Sequence, residues 1–100
     1  PTLSSPADGA EVCGTTVAFR WDPVDGATTY RIRVGTDPDL TSASLFTGKD
    51  YLSYGHSSRT HTGFGNDGAT YYWKVCADDG SGWGDWSSTW SFTNGGLNKA

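Results

Sequence analysis

Apolar residues recur at every second position in several short runs of this chain, and no window holds them at helical spacing over three turns. Tyr71, Trp73, Val75 and Ala77 share one parity; Tyr72, Lys74 and Cys76 share the other. An acidic, glycine-rich turn, Asp78-Asp79-Gly80-Ser81-Gly82, separates this run from another that carries Trp86, Ser88, Trp90 and Phe92 on one parity. Strand, loop and returning strand predict a hairpin with one aromatic face. Upstream, Val17, Phe19 and Trp21 alternate with Ala18 and Arg20, and Tyr30, Ile32 and Val34 alternate with Arg31 and Arg33. The turn Asp22-Pro23-Val24-Asp25-Gly26 lies between these two runs, with Pro and Gly where turn chemistry wants them. Other segments are less sharply marked. Residues 1–8 read as a first edge strand broken by Pro6 and anchored by Leu3. Glu11-Val12-Cys13 is a short extended piece. Residues 40–54 are weakly patterned, with Leu45-Phe46 as their best apolar anchor. Residues 56–62 alternate without large apolar side chains, so their register is weakly specified. Residues 64–68 form the corner into the Tyr71 strand.

These elements predict an all-β fold, a two-sheet antiparallel sandwich of about seven short strands. The expected core is Leu3, Val17, Phe19, Trp21, Tyr30, Ile32, Val34, Tyr71, Trp73, Val75, Trp90 and Phe92. Composition adds to this picture. Aromatics make up 14% of the 100 residues and charged residues only 18%, so the core must draw heavily on Trp, Tyr and Phe. Fourteen glycines and four prolines punctuate the short segments. The sandwich is expected over residues 1–93, with 94–100 as a tail or linker that lies against another subunit.

Net charge is −4, and the basic residues are scattered, so no patch could track a phosphate backbone. Neither nucleic-acid binding nor membrane insertion is expected, and no signal peptide is recognisable. Beginning at Pro1, the chain reads as a mature or excised fragment. Few Lys, no Met and many Thr, Ser, Gly and Trp give it the look of an exported bacterial protein, extracellular or on the cell surface.

The order of signals resembles a known family. Val-x-Phe-x-Trp at 17–21 is followed by Gly-Ala-Thr-x-Tyr-x-Ile-x-Val at 26–34 and Thr-Asp-Pro at 36–38. Gly-Ala-Thr-Tyr-Tyr-Trp-x-Val-x-Ala follows at 68–77, and Trp-Ser-x-x-Trp-Ser-Phe-Thr at 86–93. Together these resemble a bacterial extracellular fibronectin type III-like domain, over about residues 1–93. The resemblance implies a two-sheet sandwich in which Trp21 is the core tryptophan of the second strand. Tyr71 would be the corner tyrosine, its hydroxyl bonding backbone near the preceding loop. It also implies that Cys13 and Cys76 stand at opposite ends of the sandwich. Strands of this length separate the ends by roughly 15–20 Å, and a disulfide needs Cα atoms within about 7 Å. Head-to-tail bridging between copies, an internal bridge through a displaced first strand, and two free thiols all remain open. Bridging between copies would build a filament.

Candidate chemistry is sparse. Ser, His and Asp are present, but His56 and His61 fall in a poorly patterned segment and no serine sits in a nucleophile elbow. No catalytic residues and no cofactor are expected. Asp22, Asp25, Asp78, Asp79 and Asp85 should gather at one end of the sandwich, where they form either a solvated acidic loop cluster or oxygen ligands for calcium. Zinc spacing is absent. Trp83 and Trp86 lie outside the inward set of Trp21, Trp73 and Trp90. Together with Tyr72, they are candidates for partner contact or for stacking on a sugar; the two tryptophans could instead stack on Arg31, Arg33 or Lys74. The expected function is a non-catalytic structural or adhesion module, either a filament subunit or a spacer in a multidomain surface protein. Its partners would be copies of itself or neighbouring domains. The alternative is a carbohydrate-binding module of a secreted glycan-degrading enzyme, with a glycan as partner.

Overall fold

The computed structural model describes residues 1–95. Its longest strand is β7, Asp67–Asp78, which holds the Tyr71–Ala77 run. Seven further strands surround it: β1 (Leu3–Ser5), β2 (Ala10–Val12), β3 (Thr16–Trp21), β4 (Thr29–Gly35), β5 (Tyr51–Tyr54), β6 (Ser58–Thr62) and β8 (Trp90–Gly95). They form two layers, a three-stranded sheet in the order β1-β3-β6 and a five-stranded sheet in the order β2-β8-β7-β4-β5. The only helical pieces among the described residues are two short 3-10 turns, Ser42–Ser44 and Phe46–Gly48. The all-β two-sheet sandwich is therefore the fold.

The alternation sets which face each strand buries. On β3, Val17, Phe19 and Trp21 are buried and their neighbours exposed. On β4, Tyr30, Ile32 and Val34 are buried. β3 faces Trp73, Val75 and Phe92 across the sandwich, whereas β4 lies beside β7 in their sheet and adds its own apolar face to the same core. Phe19 sits at the hub, edge-on to Trp73 at 5.0 Å and to Phe92 at 5.7 Å between ring centroids. Each such side chain, fully buried, contributes about 1.5–3 kcal/mol.

Several details depart from the expected pattern. Tyr71 and Trp90 are only half-buried, at the rim of the core. Leu40, Phe64, Cys76, His61 and Asn94 are buried although the apolar alternation does not predict it. Phe64 earns its place by stacking flat on Phe46, with centroids 4.3 Å apart. The first strand ends at Ser5, and Pro6 carries the chain across to the other sheet. Because β2 keeps the heading of β1, it meets β8 in parallel, the one non-antiparallel pairing among the described strands. The last strand continues through Asn94 and Gly95, two residues that carry no strand pattern. Residues 96–100, and with them the expected tail contact, lie outside the described residues.

The registers define two poles. Leu3 pairs with Trp21, and Thr29 with both Asp78 and Tyr54, so β1 starts where the β3–β4, β5–β6 and β7–β8 loops gather. Val12 pairs with Asn94, and Asn94 with Ala69, so β8 ends at the opposite pole.

Candidate functional site

Arg31 and Arg33 on β4, and Tyr72, Lys74 and Cys76 on β7, project from the outer face of the large sheet because their neighbours in sequence fill the core. The returning chain does not pair regularly with β7 until Trp90. Trp83 bridges Asp78, the Gly84 N–H donates to the Ala77 carbonyl at 2.8 Å, and the Ser87 N–H donates to the Val75 carbonyl at 2.8 Å. The Val75 N–H donates to Ser87 Oγ at 3.0 Å in return. This irregular stretch breaks the parity that Trp86 would otherwise share with Trp90, and it brings Trp83 and Trp86 to the outer face.

There the tryptophans meet the cations. The Arg31 guanidinium lies 4.3 Å from the centroid of Trp83. Trp86 receives Arg33 at 4.9 Å and Lys74 at 4.7 Å. Asp50 fixes Arg33 through two bonds, from Nε at 2.7 Å and from Nη2 at 2.9 Å. Those bonds hold the guanidinium above its usual pKa. An exposed cation–π contact contributes about 0.5–1 kcal/mol, and a desolvated one up to about 2. Of the readings left open by the sequence, stacking on Arg31, Arg33 and Lys74 is the arrangement present.

Tyr72 shares this face but pairs with Ser91 and Gly35, six residues along β7 from the Asp78 that Trp83 meets. Six residues of strand span about 20 Å. The three aromatic candidates therefore form a row and not one flat platform. Trp83, 39% exposed, also borders a cleft of about 450 Å³ at the loop pole. Val24, Ala77, Asp25, Asp79 and Asp85 line it too.

Asp78 and Asp79 accept hydrogen bonds within their own loop. Asp78 Oδ1 accepts from the Gly80 N–H at 2.8 Å. Asp79 accepts from the Ser81 hydroxyl at 2.6 Å and the Ser81 N–H at 3.0 Å, which keeps its carboxyl below the usual pKa. Among the described residues no three His, Cys, Asp or Glu side chains gather as metal ligands. His56 is exposed on a loop, and His61 is buried with neither ring nitrogen hydrogen-bonded.

Cys13 and Cys76 are both free thiols. Cys13 follows the strand that ends opposite Asn94, at the pole where β8 finishes, whereas Cys76 pairs with Arg31 near the other pole. That separation rules out the internal bridge. Cys76 has outward parity but is 2% exposed, so a bridge to another copy would require opening the outer face.

Tyr71 also differs from expectation. Its ring packs on Phe64 and Phe92 at 4.9 and 5.6 Å, but among the described residues its hydroxyl holds no backbone group. Tyr30 fills that role at the other pole, where the Val24 N–H donates to its hydroxyl at 2.9 Å and closes the β3–β4 turn.

No protein-family model matches the chain, and no curated protein matches it. Solved structures do. The fibronectin type III domain of human collagen alpha-1(XX) chain aligns at TM-score 0.72 and 18% identity, over 100% of this chain and 86% of that one. An Fn3-like protein from Clostridium thermocellum aligns at TM-score 0.66 and 20% identity, over 96% of this chain and 100% of that one. The chicken CNTN1 FN1–FN3 domains align at TM-score 0.68 and 17% identity, over 95% of this chain and 33% of that one. At these identities the likeness establishes the fold, which is that of fibronectin type III domains.

Proposed function

We propose that this domain is a non-catalytic module of an extracellular or bacterial surface protein, a spacer or adhesive unit set between neighbouring domains or copies of itself. The observation that supports it is the placement of the first and last strands. The chain enters β1 at the pole of Val24 and Trp83 and leaves β8 at the pole of Asn66 and Gly14. Units joined through opposite poles add their lengths, which suits a spacer. The matched chicken chain carries several such domains in series. The Trp–Arg–Lys row covers the outer face of the large sheet. Small-angle scattering on proteins of one, two and three tandem copies tests the spacer reading. Maximum dimension should rise by a constant step per copy; a collapsed cluster of copies contradicts it. Protease treatment of intact host cells tests location, and a domain protected until lysis rules out the surface assignment.

A second reading rests on the loop-pole cleft. A half-exposed tryptophan beside three carboxylates can offer an apolar face and hydrogen-bond acceptors to a sugar. Retention on insoluble polysaccharides, lost in Trp83→Ala, supports carbohydrate binding. Passage without retardation across a panel of glycans removes it.

A further inference from the structure

Arg59 and His61 lie on β6 with the parity of the core, opposite Phe19 and Val17 of β3. β6 is the outer strand of the small sheet and β5 that of the large one, so both side chains face the open flank of the sandwich. His61 is 5% exposed and ringed by aromatics. Tyr51 lies at 4.3 Å, Phe19 at 5.2 Å and Phe46 at 6.1 Å between centroids. Neither Nδ1 nor Nε2 of His61 has a hydrogen-bond partner, and neither does the buried Nε of Arg59. The Arg59 guanidinium lies 5.0 Å from the centroid of Tyr51 and donates through Nη1 to the Leu52 carbonyl at 2.6 Å. Among the described residues the ion pair is Arg33–Asp50, and Arg59 has no carboxylate. Arg59 and His61, with Phe46, Tyr51, Thr60 and Thr62, line an open cavity of about 200 Å³.

An inward charge on an edge strand discourages pairing with another sheet, which accounts for Arg59. It does not account for a histidine with both nitrogens unbonded beside that charge. Buried polar groups are nearly always satisfied, and each one left bare costs about 1–3 kcal/mol. We propose that this flank cavity binds a carboxylate carried on a short apolar body. Arg59 supplies the charge and a free donor, and the neutral imidazole supplies a second donor to the same group. Phe46 and Tyr51 supply an apolar wall for the hydrocarbon. The volume admits a few heavy atoms and excludes an oligosaccharide.

The test is a titration of the isotopically labelled domain with sodium butanoate, followed by NMR at the His61 ring and the Thr60 and Thr62 amides. Sodium chloride and butylammonium chloride at matched ionic strength are the controls. Saturable shifts with butanoate alone, weakened about tenfold or more in Arg59→Gln and in His61→Phe but unchanged in Trp83→Ala, support the site. Phe keeps the ring packing of His61; if that variant fails to fold, the half-buried Arg59 carries the test. Linear shifts that match chloride overturn the proposal, as does saturable binding that survives Arg59→Gln. A parallel titration with N-acetylglutamate amide separates sources. Tighter binding than butanoate identifies a protein side chain as the donor, and weaker binding a free acid.

Discussion

His61 and Asn94 show how single buried polar residues control this fold. Burial, and then the nearby Arg59 charge, push the His61 pKa from 6.5 down to about 4. Between those values the unfolded chain binds more protons than the folded one. Stability therefore falls as pH drops from 6.5 to about 4 and levels off below that. The full loss is about 3 kcal/mol. Urea midpoints measured across this window should decline in the native protein and stay flatter in His61→Phe; equal slopes would contradict the assignment. Asn94 is fully buried and clamps the far pole. Its Nδ2 donates to the carbonyls of Val12 at 3.1 Å and Gly14 at 2.9 Å, while Oδ1 accepts the Asn66 N–H at 2.7 Å. Asn94→Leu fills similar space but leaves three backbone groups bare, at a cost of about 2–4 kcal/mol by denaturant unfolding. A loss below 0.5 kcal/mol, roughly the scatter of surface substitutions, would show that water replaces the amide. Gly95 completes the clamp, because a Cβ there would stand 2.5 Å from the Asn66 backbone carbon.

The β7–β8 connection is the element that sets the outer surface. It runs along β7 through Trp83, Gly84 and Ser87 before the strand resumes, and its two tryptophans cover cations that β4 and β7 present. Trp86 carries two cation contacts and is half-buried; Trp83 carries one and is more exposed. Trp86→Ala should therefore lower stability by about 1–3 kcal/mol, and Trp83→Ala by clearly less. Equal losses would mean that loop packing, and not the cation row, holds the segment. Asp50→Asn keeps the shape but removes the charge that orients Arg33. The pair is partly exposed, so the expected cost is about 1 kcal/mol or less. It should shrink further in high salt.

For the molecule as a whole, the two poles and the two cysteines give the sharpest expectation. Cys13 is exposed, whereas burial pushes the Cys76 thiol up from its ordinary pKa and removes it from solvent. Thiolate-directed labelling without reductant should modify one thiol per chain in the folded protein and two after unfolding. No label in either state would show a disulfide and overturn the free-thiol arrangement. Two rapid labels in the folded state would show the outer face open at Cys76. Trp73→Ala, at the centre of the large sheet, should cost about 3–5 kcal/mol and leave little of a small domain's stability.

The strand faces of β3, β4 and β7 were legible because burial in a sheet imposes a period of two, and Val, Ile, Phe and Trp at that period have few other solutions. The sandwich followed, as did the inward place of Trp21 and Trp73. The outward cations Arg31, Arg33 and Lys74 were legible by the same rule, and so was their option of stacking on Trp83 and Trp86. That Trp86 takes two of them depends on hydrogen bonds from Gly84 and Ser87 to β7, which no local pattern encodes. Leu40 and Phe64 escaped notice because their burial comes from loops folding over the pole. Asn94 escaped because a polar residue enters a core only when distant backbone groups converge on it. His61 had the parity of a core position but not the character of one, and its aromatic surround comes from β3, β5 and a 3-10 turn. Cys76 is buried on a face whose parity says exposed, a burial that alternation along β7 does not encode. Alternation is a local signal and survives in the sequence; closure of loops, pairing of edges and satisfaction of buried polar groups arise only when separate segments meet.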